Sequence, residues 1–133
     1  MSTQAKATFE VKTWDEKPYA EFGGKAKLTR ASVTKTFHGD IEGEGTLEYL
    51  MAYTEDGSAG FVGMEHIVGR IGNRSGSFVL QHSGSDDGST SKVDLLVVSN
   101  SGTGDLYGLR GHGSSVISRD QPQYAFTLDY DFE

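Results

Sequence analysis

Two glutamates in neighbouring segments of the chain, Glu48 and Glu65, are the residues whose spacing first suggests chemistry. They lie in two alternating runs joined by Glu55-Asp56-Gly57-Ser58, and an Asp-Gly pair is typical of a two-residue hairpin turn. A turn of that length sets Glu48 directly opposite Glu65. Two carboxylates that face each other in a cavity share a proton, because repulsion and desolvation both raise one pKa. Such a pair is expected to work as a general acid and base.

The residues around the pair are largely apolar. The turn Gly72-Asn73 sets Glu65 opposite Leu80 on the following strand. One sheet face is thus predicted to carry both glutamates with Glu44, Leu50, Phe61, Ile67, Phe78, Leu80 and His82. The opposite face carries Leu47, Tyr49, Met51, Tyr53, Val62, Met64, His66, Val68 and Val79. If the first face lines a cavity, Glu65 has a desolvation-raised pKa and the neighbouring side chains bind a ligand. If that face is external, the glutamates are solvated and another subunit covers the apolar side chains.

Arg30 is the cation predicted to hold an oxygen of the ligand, and Trp14 is expected to close the mouth of a barrel. The position of Arg30 depends on the connection near Gly39 and Asp40. A three-residue connection sets Arg30 across from Glu48, whereas a two-residue connection sets it across from Tyr49. Both alternatives remain open on the sequence alone.

Other chemical signatures are weaker. The residues His38, His66, His82 and His112 have no spacing that would gather them on one element, so no metal site is expected. No Gly-x-Ser-x-Gly elbow stands between a strand and a helix, which argues against a hydrolase triad. The glycine-rich segments are not followed by a predicted helix, so we expect no phosphate-binding loop and no cofactor.

The elements that position these residues are predicted to be strands. Val, Ile, Thr, Phe and Tyr concentrate in runs bounded by Gly, Ser, Asn and Asp, which is the all-β pattern. The predicted strands cover residues 4–14, 25–38, 41–54, 59–70, 74–83, 90–99, 105–118 and 122–132. Eight antiparallel strands in succession favour an eight-stranded barrel with a small central cavity, in one domain over residues 1–133. A two-sheet sandwich is the alternative.

Composition limits the partners. With a formal net charge of −7 and only 12 basic residues, scattered among acids, the chain is not expected to bind nucleic acid or an anionic membrane. The sequence has no Cys, and no apolar run is long enough to serve as a signal peptide or a membrane span, so we expect a cytoplasmic protein. Apolar residues on both faces of the strands predict a homo-oligomer.

Short motifs along nearly the whole chain carry a resemblance. They are Phe9-Glu10-Val11, Trp14-Asp15-Glu16, Leu28-Thr29-Arg30-Ala31-Ser32-Val33, Gly39-Asp40-Ile41-Glu42-Gly43, Phe61-Val62-Gly63, Gly76-Ser77-Phe78-Val79-Leu80-Gln81-His82, Ser101-Gly102-Thr103-Gly104-Asp105-Leu106 and Leu109-Arg110-Gly111. Together they resemble a bacterial family of uncharacterised proteins, a domain of unknown function that is grouped by fold with plant allene oxide cyclases. The resemblance implies an eight-stranded barrel, usually oligomeric, with no established activity.

The chain departs from the family's pattern at three positions, where it has Asp86, Ser99 and Tyr107. Tyr107 is therefore added to the predicted ligand-binding residues, because a large ring in place of a small residue would alter the cavity. We therefore expect a barrel that binds a small hydrophobic molecule. One possibility is that the protein is an isomerase or cyclase that uses Glu65 and Glu48. A non-catalytic carrier and a structural oligomerisation module are the alternatives.

Overall fold

Eight strands and one turn of 3-10 helix make up the described part of the chain. The computed structural model describes residues 2–118, 120–121 and 123–133. The strands are β1 (Thr3–Glu21), β2 (Lys27–Gly39), β3 (Ile41–Tyr53), β4 (Ala59–Ile71), β5 (Arg74–Asp86), β6 (Thr90–Val97), β7 (Leu109–Ser118) and β8 (Tyr124–Phe132), with the 3-10 turn at Gly104–Leu106. In this part of the chain no helix is long and apolar enough to cross a membrane.

The strands form a closed antiparallel barrel in chain order, with β8 paired to β1. The predicted eight-stranded barrel is therefore confirmed, and the sandwich alternative is wrong. Two boundaries differ clearly from expectation. The strand β1 continues past Trp14 to Glu21, with irregularities between Val11 and Thr13 and between Pro18 and Ala20. The strand β7 begins only at Leu109, because the 3-10 turn occupies the residues before it.

The two ends of the barrel differ. At one end the connection between β6 and β7 lies against β5, where the Thr103 amide donates to the Ser77 carbonyl over 2.8 Å. Buried side chains fill the barrel there: Ile41, Ile71, Val97, Leu106, Leu109 and Leu128. At the other end β1 outruns β8, since their pairing stops at Phe9 and Tyr124 while β1 stays paired with β2 as far as Glu21. The second end is the mouth of the barrel.

The hairpin between β3 and β4 corrects the predicted register. Its loop has three residues rather than two, because the Thr54 amide donates to the Ser58 carbonyl over 3.0 Å. Gly57 takes a φ of +88°, which a residue without a Cβ adopts without strain. Leu47 therefore lies opposite Glu65, and Glu48 lies opposite Met64. The predicted contact between Glu48 and Glu65 is wrong.

A change of one residue in register turns every side chain of β3 to the other face. Leu47, Tyr49 and Met51 point into the barrel, whereas Glu44, Glu48 and Leu50 point outward. The register of β4 with β5 is as predicted, with Glu65 opposite Leu80 and Ile67 opposite Phe78. The members of the predicted face that belong to β4 and β5 are all buried in the interior: Phe61, Glu65, Ile67, Phe78, Leu80 and His82.

Arg30 is paired with Leu50 in the sheet, so neither predicted alternative for its partner is correct. The last pair between β2 and β3 is Phe37 with Gly43, which makes the connection longer than either alternative assumed. Gly39 within that connection has a φ of +109°.

Candidate functional site

Four polar side chains meet inside the barrel. Glu65 is 1% exposed, and its Oε1 accepts a hydrogen bond from Nε2 of His82 at 2.8 Å. Its Oε2 lies 3.6 Å from Nζ of Lys35, which is buried as well. The Tyr49 hydroxyl lies 3.5 Å from Nδ1 of His82. With His82 neutral and protonated on Nε2, one chain of hydrogen bonds runs from Tyr49 through His82 to Glu65.

Each member of this polar cluster (Lys35, Tyr49, Glu65 and His82) comes from a different strand, from β2 to β5. Lys35 follows Ala31 and Val33 in the inward series of β2, so the alternation of the strand drives an ammonium group into the core. The sheet partner of Lys35 is Gly45, which has no side chain and so leaves room beside Lys35. The cluster therefore depends on the registers of three hairpins.

Burial and pairing compete in setting the protonation of Glu65. Burial raises the pKa of Glu65, but the positive charge of Lys35 and the hydrogen bond from His82 outweigh it, so the pKa is lowered. The expected raised pKa is wrong because the neighbour of Glu65 is a cation and not Glu48. Burial also lowers the pKa of Lys35, against the opposing effect of Glu65. Burial lowers the pKa of His82 and raises that of Tyr49.

A small inner cavity of about 10 Å³ lies against this cluster. That volume corresponds to about one water molecule. Glu65 Oε2, which lies at its wall, has no hydrogen-bond partner within the described part of the chain. The inner cavity is lined by Lys35, Tyr49, Glu65 and His82 and otherwise mainly by apolar side chains, including Phe9, Phe37, Leu80, Val93, Leu95 and Phe126.

A much larger cavity of about 550 Å³ opens at the mouth of the barrel. We call it the mouth cavity; its volume is in the range of sites that hold small organic molecules. Its walls are mostly aromatic and aliphatic: Phe9, Val11, Trp14, Tyr49, Met51, Tyr53, Phe61, Val93, Ile117 and Tyr124. Lys35 and Tyr49 line both cavities, as do Phe9, Val93 and Ile117, whereas Glu65 lines only the inner cavity.

Two carboxylates also line the mouth cavity. Glu16 accepts hydrogen bonds from the hydroxyl of Tyr53 at 2.5 Å, from Thr29 at 2.7 Å and from Nε1 of Trp14 at 2.9 Å. Burial raises the pKa of Glu16, but these donors outweigh it and the pKa is lowered. Asp86, one of the departures from the family pattern, contributes the second carboxyl group to the wall. Glu16 was not among the predicted site residues.

The predicted site residues are thus divided between the interior and the outside. Phe61 and Trp14 line the mouth cavity, and Leu80, His82 and Glu65 line the inner cavity. Phe78 is buried but does not line either cavity.

The other predicted residues lie outside the barrel interior. Glu48 accepts a hydrogen bond from Nε of Arg30 at 2.9 Å on the outer surface. Leu50 points outward as well, and Tyr107 is 74% exposed beside the 3-10 turn. The placement of Glu48, Arg30, Leu50 and Tyr107 in the cavity is therefore wrong, for the first three because of the hairpin registers.

Sequence reasoning missed Lys35 and placed Tyr49 on the wrong face. The signal for Lys35 was present, since it continues the apolar series Ala31, Val33 at a spacing of two residues. Within the described ranges no group of three or more His, Cys, Asp or Glu side chains is placed to hold a metal ion.

The comparisons with known proteins agree with this architecture. No curated protein matches the chain. A crystal structure of a protein of unknown function from Shewanella oneidensis MR-1, a DUF3224 family member, is 36% identical and has a TM-score of 0.85. The match covers 100% of this chain and 99% of that one. Residues 5–130 match the family described as "Protein of unknown function (DUF3224)". The predicted bacterial family of uncharacterised barrels is thus confirmed, and the chain belongs to the DUF3224 family.

Proposed function

We propose that the protein binds a small, largely apolar molecule in the mouth cavity. The observation that carries this proposal is the cavity itself, which has a volume of about 550 Å³ and mainly aromatic and aliphatic walls. Binding sites for small molecules combine such walls with a few polar groups that fix the orientation of the ligand. Here Lys35 and Tyr49 supply polar groups on the inner side of the cavity, and Glu16 and Asp86 supply them on its walls.

A second candidate, an isomerase or cyclase, is favoured by the chain of hydrogen bonds from Tyr49 through His82 to Glu65. Glu65 does not line the mouth cavity, so its carboxylate would act as a positioning residue behind Lys35 and Tyr49. A proton transferred to or from the ligand would pass through the Lys35 amine or the Tyr49 hydroxyl. A carrier needs the cavity alone. The cytoplasmic location stays a prediction.

The proposal is tested with N-phenyl-1-naphthylamine, a neutral probe whose fluorescence rises in apolar surroundings. Trp14, the only tryptophan, lies in the cavity wall and reports binding through energy transfer to the probe. We expect saturable binding that Met51→Gln weakens by about tenfold, because an unpaired amide in this wall costs about 1–3 kcal/mol. Leu50→Gln is the matched control, since Leu50 immediately precedes Met51 in β3 and points outward.

Two results would contradict the proposal. One is the absence of saturable binding to a chain whose circular dichroism shows the intact β-sheet. The other is an equal loss of affinity in both variants, which would show that the probe binds the outer surface and not the mouth cavity. Thermal unfolding of the two variants separates a change of the cavity from a loss of the fold.

A further inference from the structure

Lys35 differs from the other lysines in its surroundings. Its side chain is 5% exposed, and its Nζ lies 4.2 Å from the centre of the Phe9 ring. Of the other six lysines, Lys27 is half-buried and five are exposed: Lys6, Lys12, Lys17, Lys25 and Lys92. Lys35 nevertheless lines the mouth cavity, so a bound molecule would meet a desolvated amine there.

The binding of an apolar ligand alone does not require a lysine at this position. Placing an ammonium group in the core is costly unless it is paired, and the ion pair of Lys35 with Glu65 is long, at 3.6 Å between Nζ and Oε2. Lysines that attack carbonyl groups are commonly activated by desolvation in a largely apolar pocket. We propose that Lys35 forms an imine with an aldehyde or ketone bound in the mouth cavity; this inference rests on the proposed function.

The reaction needs only the amine, the carbonyl compound and a proton carrier. The neutral nitrogen of Lys35 attacks the carbonyl carbon, and a C–N bond forms. The carbonyl oxygen takes up the two protons that the nitrogen loses and leaves as water, so the step includes no oxidation or reduction. Glu65, whose Oε2 lies 3.6 Å from Nζ, is placed to carry a proton away from the nitrogen. Glu65 does not line the mouth cavity, so it acts on a bound carbonyl compound only through Lys35.

Desolvation also favours the reactive form of the amine. Burial lowers the pKa of Lys35 despite the opposing charge of Glu65, so the neutral amine is present at a lower pH than on an exposed lysine. At a pH below the pKa, this lowering raises the neutral fraction of the amine. At mildly acidic pH, Lys35 should therefore react while the exposed lysines stay protonated. His82 and Tyr49, the other groups of the polar cluster, carry no positive charge in this state.

The test uses acetylacetone, a small diketone that condenses with an unprotonated amine to an enaminone with near-ultraviolet absorption. The unmutated chain is treated at about pH 6.5, and peptide mapping locates the adduct. We expect Lys35 to react faster than any exposed lysine, since its lowered pKa leaves a larger neutral fraction of the amine at this pH. The variant Lys35→Met should lose the absorption, and Lys92→Met, which changes an exposed lysine of β6, should keep it.

Reaction of Lys35 at the rate of the exposed lysines, or of the exposed lysines alone, would overturn the inference. Peptide mapping of the unmutated chain gives this answer even if Lys35→Met fails to fold. Binding of N-phenyl-1-naphthylamine without reaction at Lys35 would overturn the imine but leave the proposed function intact. Reaction at Lys35 without binding of the apolar probe would support the reactive amine but overturn the binding of an apolar molecule in the mouth cavity.

A variant of Glu65 tests its positioning role. Because the carboxylate favours the protonated amine, Glu65→Gln should move the pH profile of enaminone formation to lower pH. A merely structural role would change the stability and leave the profile where it is. An unchanged profile would therefore overturn the assignment of Glu65 as a residue that acts on Lys35.

Discussion

Gly45 lies directly against the carboxylate of Glu65. A Cβ atom built on Gly45 would be 2.5 Å from Glu65 Oε2 and 2.8 Å from Cε2 of Phe37, closer than real side chains approach. The carboxylate of Glu65 can therefore lie beside Lys35 only while residue 45 has no side chain. This contact explains why the residue paired with Lys35 in β3 is a glycine.

The first prediction follows from this contact. Gly45→Ala should destabilise the protein by about 1–3 kcal/mol, because a methyl group forced into a packed interior displaces its neighbours. It should also slow enaminone formation at Lys35, since the carboxylate must move. The matched control is Gly60→Ala in β4, where an added Cβ has no atom within 4 Å. Urea unfolding measures the free energy of unfolding of both variants. Equal values for the two would contradict the prediction.

The second prediction concerns the buried ion pair of Lys35 and Glu65. Removing one partner leaves the other without its counter-charge, so Lys35→Met or Glu65→Gln alone should cost about 3 kcal/mol or more. The double variant should be more stable than the sum of the two single losses implies, because it leaves neither charge behind. Strict additivity in urea unfolding would show that the two side chains do not interact in the folded state.

The architecture could be predicted because each strand alternates and each hairpin has its own turn signal. The interior of the barrel could not be predicted as completely, since a single residue in one loop decides which face of a strand is inside. In the β3–β4 hairpin, Asp56 accepts hydrogen bonds from the hydroxyls of Thr54 and Ser58, at 2.6 Å and 2.7 Å. These bonds hold a three-residue loop, whereas the Asp-Gly pair alone indicates a two-residue turn.

The candidate site shows the same division. The sequence correctly predicts that Glu65 and His82 share one sheet face, because the β4–β5 turn has the length that its sequence indicates. Lys35 could have been recognised as an inward lysine from its own strand. Its contact with Glu65 could not, because the two residues are brought together by the registers of β2 with β3 and of β3 with β4, and both of those predictions were wrong.

The third prediction concerns the dependence of stability on pH. The pKa of His82 is lowered from 6.5, mainly by burial, and the groups that face it are Glu65, Lys35 and Tyr49. The folded protein therefore keeps His82 neutral at a pH where the unfolded chain binds a proton. The stability should fall as the pH drops below about 6.5, by at most about 1.4 kcal/mol per pH unit from this residue.

The measurement for His82 is urea unfolding between about pH 7.5 and 5.5, compared with His82→Gln. Glu65 and Lys35 are common to both proteins, so the difference between the two curves isolates the histidine. The slope should be smaller in the variant. Parallel curves would show that His82 has the same pKa in the folded and unfolded states. Below about pH 4.5 a second loss should appear in the parent protein, because the lowered pKa of Glu65 stabilises the fold only while the unfolded carboxyl is ionised.

The last prediction concerns self-association, which the apolar outer surface favours. Leu50, Val62 and Met64 lie on neighbouring outward positions of β3 and β4 and are each about half exposed, at 49%, 52% and 52%. The exposure of a contiguous apolar surface to water is unfavourable. A second copy of the chain presents the same surface, so the two copies can bury it against each other. Sedimentation equilibrium should therefore give a mass at least twice the 14.4 kDa of one chain.

Met64→Glu should shift the protein to monomers, because a carboxylate would be buried without a partner. Val116→Glu, on the outer face of β7 and 61% exposed, should leave the mass unchanged. A monomeric parent protein, or equal dissociation by both substitutions, would show that the β3–β4 surface is solvated.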